Sequence, residues 1–147
     1  MEPRGRVLGI DFGERRIGLA ISDRAARIAF PAGIVESRGR EHDLAALCQL
    51  AQEREIARIV VGLPIHLEGH ESRGSEAARS FARALEGATG LPVELLDERW
   101  TTRAADRSLD ESKSGRRRRR EAVDSVAATL LLRTFLERPP QEEAHRR

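Results

Sequence analysis

Apolar residues in the first part of the chain come in three short runs that are separated by polar turn residues. The runs cover residues 6–11, 16–22 and 28–36. Runs of this length predict β-strands, and Pro31 is expected to interrupt the third strand. Because the joins at residues 13–15 and 23–25 are short, the pattern favours an antiparallel meander.

Helical spacing replaces this pattern after residue 40. Apolar residues recur every three or four positions over about residues 41–54 and again over about residues 75–87. This spacing predicts two amphipathic helices. Gly87 and Gly90 follow the second apolar stripe and are expected to end that helix.

Two later runs are almost continuously apolar, RIVVGL at residues 58–63 and PVELL at residues 92–96. Such runs are typical of parallel strands that are covered on both faces. The remaining segments are predicted to be a loop over 65–74, a short helix over about 102–110, a mobile loop over about 110–119 and a final helix over 121–136. The order of elements predicts an α/β fold with a mixed five-stranded sheet, three antiparallel strands then two parallel ones, and helices on both faces.

Length and composition narrow the class of protein. The 147 residues suffice for one domain, which we expect to span residues 1–138, with the polar residues 139–147 as a disordered tail. No apolar run reaches about 18 residues and no secretory signal pattern begins the chain, so no membrane association is expected. With a single cysteine, Cys48, no internal disulfide can form, and a cytoplasmic location is expected. Cys48 lies on the apolar stripe of the first helix and is expected to be buried.

Basic residues number 26 against 24 acidic ones, but they are unevenly placed. Lys113 is the only lysine, and five arginines run consecutively from Arg116 to Arg120. With a pI near 9.4, such a run favours nucleic acid as the partner, held through its phosphates. Stacking on bases is not favoured, because the chain has no tyrosine, one tryptophan and four phenylalanines. Both a monomer and a homodimer are compatible with the sequence.

Acidic residues follow two predicted strands, Asp11 after the first strand and the neighbours Asp97 and Glu98 after the last. Sites in such sheets form outside the carboxyl ends of the parallel strands. Asp11 alone could also be a turn residue or a helix cap. Asp97 and Glu98 face opposite ways on an extended chain, so only one can join a cluster, and Asp97 could instead cap the next helix.

Asp124 is the most informative acid because it lies on the apolar stripe of the final helix. It precedes by three, four, seven and eleven residues the apolar positions Ala127, Ala128, Leu131 and Phe135. A carboxylate there is costly unless it is paired with arginine or bound to metal. The small alanines would let this helix pack beside the first strand and bring Asp124 towards Asp11. Three acids from separate elements would form an oxygen-only site that suits Mg²⁺ or Mn²⁺, and two such ions would support phosphodiester hydrolysis.

Four segments carry a pattern that is more specific than any single residue: GIDFGERRIGLAISD at 9–23, VGLP at 61–64, DERWTT at 97–102 and VDSVAATLLL at 123–132. In this order they resemble the RuvX/YqgF family. Members of that family are similar to Holliday junction resolvases and are assigned as candidate pre-16S rRNA nucleases. The resemblance implies a ribonuclease H-like fold and a divalent-metal endonuclease that processes the 5′ end of pre-16S rRNA. Resolution of branched DNA is the alternative activity.

Carried over by position, the resemblance implies Asp11, Glu98 and Asp124 as catalytic and metal-binding acids. Asp97 competes with Glu98 for its role. The sequence departs from the family after VGLP, where HLEGH at residues 66–70 replaces a stretch such as NMDGT. Because the three acids are intact, this departure bears on substrate contacts more than on metal chemistry.

Arginines near the acids are the expected nucleic-acid contacts, because the guanidinium fork matches phosphate geometry. They are Arg15, Arg16, Arg99, Arg116, Arg117, Arg118, Arg119 and Arg120. Those beside the acids could instead pair with them. Trp100, which replaces the family's leucine, is expected to pack in the core or at its rim, and a contact with a base of the nucleic acid is the alternative. Whether His66 and His70 contact substrate stays open.

Two other function classes compete with a nuclease. The chain could bind nucleic acid with little or no catalysis, its acids serving as structural ion pairs. Asp11, Gly13 and Gly18 also resemble the first phosphate loop of sugar kinases and actin-like ATPases. The length argues against that class, because such enzymes need two related lobes.

Overall fold

The computed structural model of the chain describes residues 5–13, 15–63, 73–97 and 116–138, and at positions 73–75, 97 and 116–124 it describes the backbone. The described strands are β1 (Arg6–Phe12), β2 (Arg16–Ser22), β3 (Ala29–Glu36), β4 (Ile56–Leu63) and β5 (Val93–Asp97). The described helices are α1 (Arg40–Glu53), α2 (Arg73–Thr89) and α3 (Arg116–Leu136). Each of these elements corresponds to one that the sequence predicts.

The strands form one mixed sheet in the order β3-β2-β1-β4-β5. β2 is antiparallel to both β1 and β3, whereas β4 is parallel to both β1 and β5. This is the predicted arrangement of three antiparallel and two parallel strands. Parallel pairing brings the ends of β1, β4 and β5 to the same side of the sheet, which we call the carboxyl edge. β3 ends there too, since it runs in the same direction as β1.

Two apolar layers cover the two faces of the sheet. On one face, α1 and α2 pack over a cluster that includes Leu8, Ile10 and Phe81. On the other face, which we call the α3 face, α3 covers a smaller cluster that includes Val7 and Leu132. Neighbouring residues of β1 therefore belong to different layers, as the two-residue period of a strand requires.

The predictions for β3 and α2 differ from the structure in detail. β3 continues through Pro31, which an edge strand tolerates because one side of its backbone is not needed for pairing. α2 begins at Arg73, inside the predicted loop, and runs past Gly87 to Thr89. It stops at Gly90, whose φ of +73° is left-handed and whose N–H donates to the Glu86 carbonyl. Glycine meets that conformation at little cost, which explains why Gly90 ends the helix and Gly87 does not.

The arginine run is helical, so the predicted loop over 110–119 is wrong for residues 116–119. α3 begins at Arg116, five residues before the predicted start. Arginine is among the better helix formers, and the run therefore extends the helix towards its N-terminus. The predicted helix over 102–110 and the tail 139–147 lie outside the described residues.

The predicted apolar stripe of α1 packs against the core in the structure, except that Cys48 is not fully buried. Leu47 and Ala51 are buried, but Cys48 is only partly buried. Cys48 lies at a groove of about 280 Å³ between the C-terminal halves of α1 and α2, which keeps one side of it open. Among the described helices, none combines the length and the apolar character that crossing a lipid bilayer demands.

Candidate active site

Asp11 is the next-to-last residue of β1 and lies at the carboxyl edge of the sheet. Val7 is buried in the cluster beneath α3. Residues two apart on a strand share a face, so Gly9 and Asp11 also belong to the α3 face. Asp11 is partly buried and makes a further polar or electrostatic interaction. The predicted acid at the rim of the core is therefore present.

Glycines stand on both sides of Asp11 in the sheet. Asp11 pairs with Gly18 of β2. Ile10 pairs with Val61 of β4, so the next residue, Gly62, is level with Asp11. Directly opposed residues project from the same face of a sheet. The carboxylate at position 11 therefore has no side chain beside it, at this level, on either neighbouring strand.

Gly13 has a different role from the glycines in the sheet. A Cβ at position 13 would lie 2.6 Å from the Arg16 carbonyl oxygen, which is closer than real Cβ atoms approach. In the sequence, Gly13 belongs to the pattern that resembles the phosphate loop of sugar kinases. The close neighbour is backbone, and Gly13 is needed for the tight turn between β1 and β2.

The final helix packs directly on β1, as the small residues in its stripe predicted. A Cβ at Gly9 would lie 2.9 Å from the Leu132 Cβ and 3.3 Å from the Ala128 carbonyl oxygen. The hydrogen at Gly9 is therefore what permits this close approach. Ala128 and Leu132 are fully buried at the contact.

The direction of α3 follows from contacts at its two ends. The Phe135 ring lies 5.2 Å from the Arg58 guanidinium, near the start of β4. The Ser125 hydroxyl donates to the Leu19 carbonyl at 3.4 Å, and Leu19 pairs with Ile10 near the end of β1. α3 therefore runs antiparallel to β1, with its earlier residues towards the carboxyl edge.

This direction sets the level of position 124 along the sheet. Position 124 precedes Ala128 by four residues, which is about 6 Å of helix. Asp11 follows Gly9 by two residues, which is about 6.6 Å of strand. Because Ala128 contacts Gly9, the backbone at position 124 and Asp11 lie at similar levels along β1. The predicted approach of these two elements is thus present in the backbone.

The end of β5 reaches the same edge. Gly62 pairs with Leu96 and Leu63 with Asp97. Since β4 lies between β1 and β5, their backbones are separated by about 10 Å. Leu95 packs against the cluster beneath α1 and α2, whereas Leu96 packs against the cluster beneath α3. Glu98 lies outside the described residues.

Some of the residues that are predicted to contact nucleic acid lie in the described part of the chain, and others lie outside it. Arg15 is exposed and Arg16 partly buried, and both lie in or beside the β1–β2 turn at the carboxyl edge. Residues 116–120 form the first turns of α3. The remaining candidates lie outside the described residues, namely Arg99, Trp100, His66 and His70.

Asp43 is a buried acid that the sequence analysis did not single out. Only 3% of it is exposed. Its carboxylate accepts hydrogen bonds from the Ser37 hydroxyl at 2.6 Å and the Arg38 N–H at 3.0 Å, and it contacts the His42 ring. Burial raises the pKa of the Asp43 carboxyl, but these hydrogen bonds outweigh burial and hold that pKa below its usual value. An acid in the first turn of a helix is the sequence signal that could have found it.

Among the side chains that the structure describes, no group of three or more His, Cys, Asp or Glu residues is arranged to hold a metal ion. Asp11 is the one predicted acid in that set, because Glu98 and the side chain of Asp124 lie outside it. The carboxylate described at this edge, that of Asp11, is a type of donor that suits hard cations such as Mg²⁺ or Mn²⁺.

Comparisons with known proteins identify the family. The RuvX family model, described as Holliday junction resolvase, matches residues 5–138. A protein of Koribacter versatilis is 46% identical over 134 residues, which cover 91% of this chain and 88% of that protein. A protein of Myxococcus xanthus is 42% identical over 142 residues, which cover 95% and 94%. Both are described as candidate pre-16S rRNA nucleases.

Solved structures show the same fold at low sequence identity. Thermus thermophilus RuvC in complex with a Holliday junction substrate has a TM-score of 0.56 at 13% identity, covering 86% of this chain and 90% of that one. A fowlpox virus resolvase in complex with Holliday junction DNA has a TM-score of 0.53 at 11% identity, covering 90% and 97%. The chain therefore belongs to the RuvX family, a family of nucleases with the ribonuclease H-like fold.

Proposed function

We propose that this chain is a divalent-metal-dependent endonuclease that processes the 5′ end of pre-16S rRNA. Family membership assigns the reaction class, hydrolysis of phosphodiester bonds. The observation that carries the site is the placement of Asp11 between Gly18 and Gly62, with α3 docked on Gly9. In the proposal, Asp11, Glu98 and Asp124 are the catalytic acids.

The three acids fit a hard divalent cation as ligands. Carboxylates brought together repel one another unless a cation neutralises them, and an oxygen-only donor set favours Mg²⁺ or Mn²⁺. In the proposal, such an ion and a phosphate oxygen lie beside Asp11, where both neighbouring strands carry glycine. When bound, a pair of these ions supplies charge stabilisation for the attacking and leaving oxygens of the phosphodiester. Asp11 has a fixed position for that task because its backbone is paired on the central strand.

Glu98 is favoured over Asp97 by the alternation of β5. Leu96 lies on the α3 face, the face of Asp11. Residues two apart on an extended chain share a face, so an extension of the strand would give position 98 the side of Leu96 and position 97 the other side. We therefore infer that Glu98 completes the set.

The arginines supply the complementary charge for the substrate. Arg15 and Arg16 border the carboxyl edge, and the run from Arg116 to Arg120 precedes Asp124 by four to eight residues on the same helix. In the proposal they hold phosphates on either side of the scissile bond, together with Arg99.

Branched DNA is the second candidate substrate. The family model is described as Holliday junction resolvase. The similar proteins of Koribacter versatilis and Myxococcus xanthus are described as candidate nucleases of pre-16S rRNA. Individual proteins at 46% and 42% identity carry the RNA description, whereas the junction description belongs to the family model as a whole, and we therefore place the RNA first. A four-way DNA junction tested beside the precursor RNA decides between the two.

The direct test measures cleavage of an RNA that spans the 5′ end of the 16S sequence in its precursor. We expect cutting with Mg²⁺ or Mn²⁺ and none with EDTA. Asp11→Asn, Glu98→Gln and Asp124→Asn should each abolish cutting while RNA binding persists, and Mn²⁺ should raise the melting temperature of the wild type more than that of Asp11→Asn. Equal cutting by Asp11→Asn refutes the metal site. Loss of cutting in Asp97→Asn but not in Glu98→Gln reverses the assignment at β5.

A further inference from the structure

Additional arginines lie at the carboxyl edge, on the connection between β3 and α1. Residues 37–40 of this connection read SRGR. Arg38 and Arg40 are both exposed. The exposed carboxylates nearest in sequence, Glu36 and Glu41, lie just before and just after the segment. The segment itself carries only positive charge.

This connection lies beside the β1–β2 turn in space. The Ser37 N–H donates to the Arg15 carbonyl at 2.8 Å, and Arg16 pairs with Glu36 at the end of the β2–β3 ladder. Arg15 and Arg38 therefore stand on adjoining segments of one surface. Because β3 is the second strand from β1, this surface begins about 10 Å from Asp11 in the plane of the sheet.

The connection is held in one conformation by Asp43. Its buried carboxylate accepts from both the Ser37 hydroxyl and the Arg38 N–H, while the His42 ring contacts the same carboxylate from the exposed side. The negative charge of Asp43 is thus buried and hydrogen-bonded inside the protein.

Arg40 is tied to a second element. Its Nη1 donates to the Ser80 hydroxyl of α2 at 3.1 Å. A guanidinium has five N–H donors, so this single hydrogen bond orients Arg40 and leaves most of its donors for another acceptor. An oriented guanidinium loses less side-chain entropy on binding a phosphate than a freely rotating one.

We propose that Arg38 and Arg40 extend the substrate-binding surface from Arg15 along the β3–α1 connection and hold backbone phosphates of the nucleic acid outside the proposed catalytic site. The proposal rests on the proposed nuclease function. A row of exposed arginines on a rigid segment, leading away from the edge that bears Asp11, matches a polyanionic strand that continues beyond the cut site. Contacts of this kind carry no sequence information and set position and affinity.

The test measures the salt dependence of RNA binding. Binding of a fluorescein-labelled RNA oligonucleotide is followed by fluorescence anisotropy in EDTA, between about 50 and 200 mM salt. The test protein carries Arg38→Gln and Arg40→Gln. The matched control carries Arg27→Gln and Arg54→Gln, which remove the same charge from two exposed arginines at the opposite end of the sheet. Circular dichroism verifies that both double variants are folded.

Each lost phosphate contact lowers the slope of log K against log salt by about 0.7 for a single strand. We therefore expect the Arg38/Arg40 variant to lose about 1.4 from that slope and to bind about tenfold more weakly at low salt, with the control close to wild type. An unchanged slope, or an equal change in the control, overturns the proposal. Cleavage by the wild type is measured separately. If the wild type binds RNA with the expected salt dependence but cuts neither RNA nor branched DNA, the proposed nuclease function is refuted, whereas the proposed phosphate-binding surface still stands.

Discussion

Replacing Gly9 by alanine tests whether the docking of α3 on β1 aligns the proposed active site. The new Cβ would lie 2.9 Å from the Leu132 Cβ, whereas carbon atoms in unstrained contact are about 3.5–4.0 Å apart. Neither atom belongs to a flexible side-chain end, so α3 has to withdraw from β1 by up to about 1 Å. Overpacking of this size costs about 1–3 kcal/mol of unfolding free energy.

The effect on activity follows from the same displacement. Position 124 is one helical turn before Ala128, which lies 3.3 Å from the added Cβ. A shift of about 1 Å in a catalytic group can cost about 10²-fold in rate. We expect Gly9→Ala to lower the single-turnover cleavage rate by about 10-fold to 100-fold, measured under conditions in which circular dichroism shows a folded protein.

Two control variants separate alignment from general stability. Gly87 lies in α2 with nothing within 4 Å of an added Cβ, so Gly87→Ala should stabilise the protein by up to about 1 kcal/mol and leave cleavage unchanged. Ile59 is fully buried in the other layer, and Ile59→Val should cost about 0.5–1.5 kcal/mol without slowing the folded protein. If Gly9→Ala matches the wild type in both stability and rate, the docking argument fails.

Further predictions concern the buried acid and the end of the domain. Asp43→Asn should lower the unfolding free energy at neutral pH by about 1–3 kcal/mol, because an amide cannot accept every hydrogen bond that the buried carboxylate accepts. Since the pKa of Asp43 is lowered in the folded state, its contribution is present above the ordinary carboxyl pKa and is lost as the pH falls through the folded value. The difference in unfolding free energy between the wild type and Asp43→Asn, measured by urea titration, should therefore disappear below about pH 4. A difference that stays constant down to about pH 2 contradicts this role of the Asp43 carboxylate. Removing residues 139–147 should leave the melting temperature unchanged, because α3 and the family match end at residues 136 and 138; a clear fall would show that the domain includes the tail.

The positions of the strands and helices could be predicted because each depends on nearby residues. A strand that is buried on one face alternates between apolar and polar residues, and a strand that is buried on both faces is a continuous apolar run. These patterns alone located β1, β2, β4 and β5. Local reasoning was wrong at Gly87, where the neighbouring helical residues outweighed the glycine, and at the arginine run, where the helix propensity of arginine outweighed the loop pattern around it. It was wrong at Pro31 because only the sheet decides which strand is an edge.

Members of the candidate site could be named from the sequence for the same reason. Asp11 at a strand end and Asp124 within an apolar stripe are chemically conspicuous in the sequence. Asp43 was missed because its partners, Ser37 and Arg38, reach it only after the connection folds back on the start of α1. Hydrophobic periodicity does not predict side-chain hydrogen bonds that form only in the folded connection.

The sequence by itself determined which residues could carry chemistry and which local structures they occupy, because helix and strand patterns and the identity of the acids are properties of neighbouring residues. Only the tertiary structure decided that glycines flank Asp11 on two strands, that α3 runs antiparallel to β1 and rests on Gly9, and that the β3–α1 connection adjoins Arg15. These arrangements depend on register and packing between segments far apart in the chain, and close packing allows only one relative placement of them.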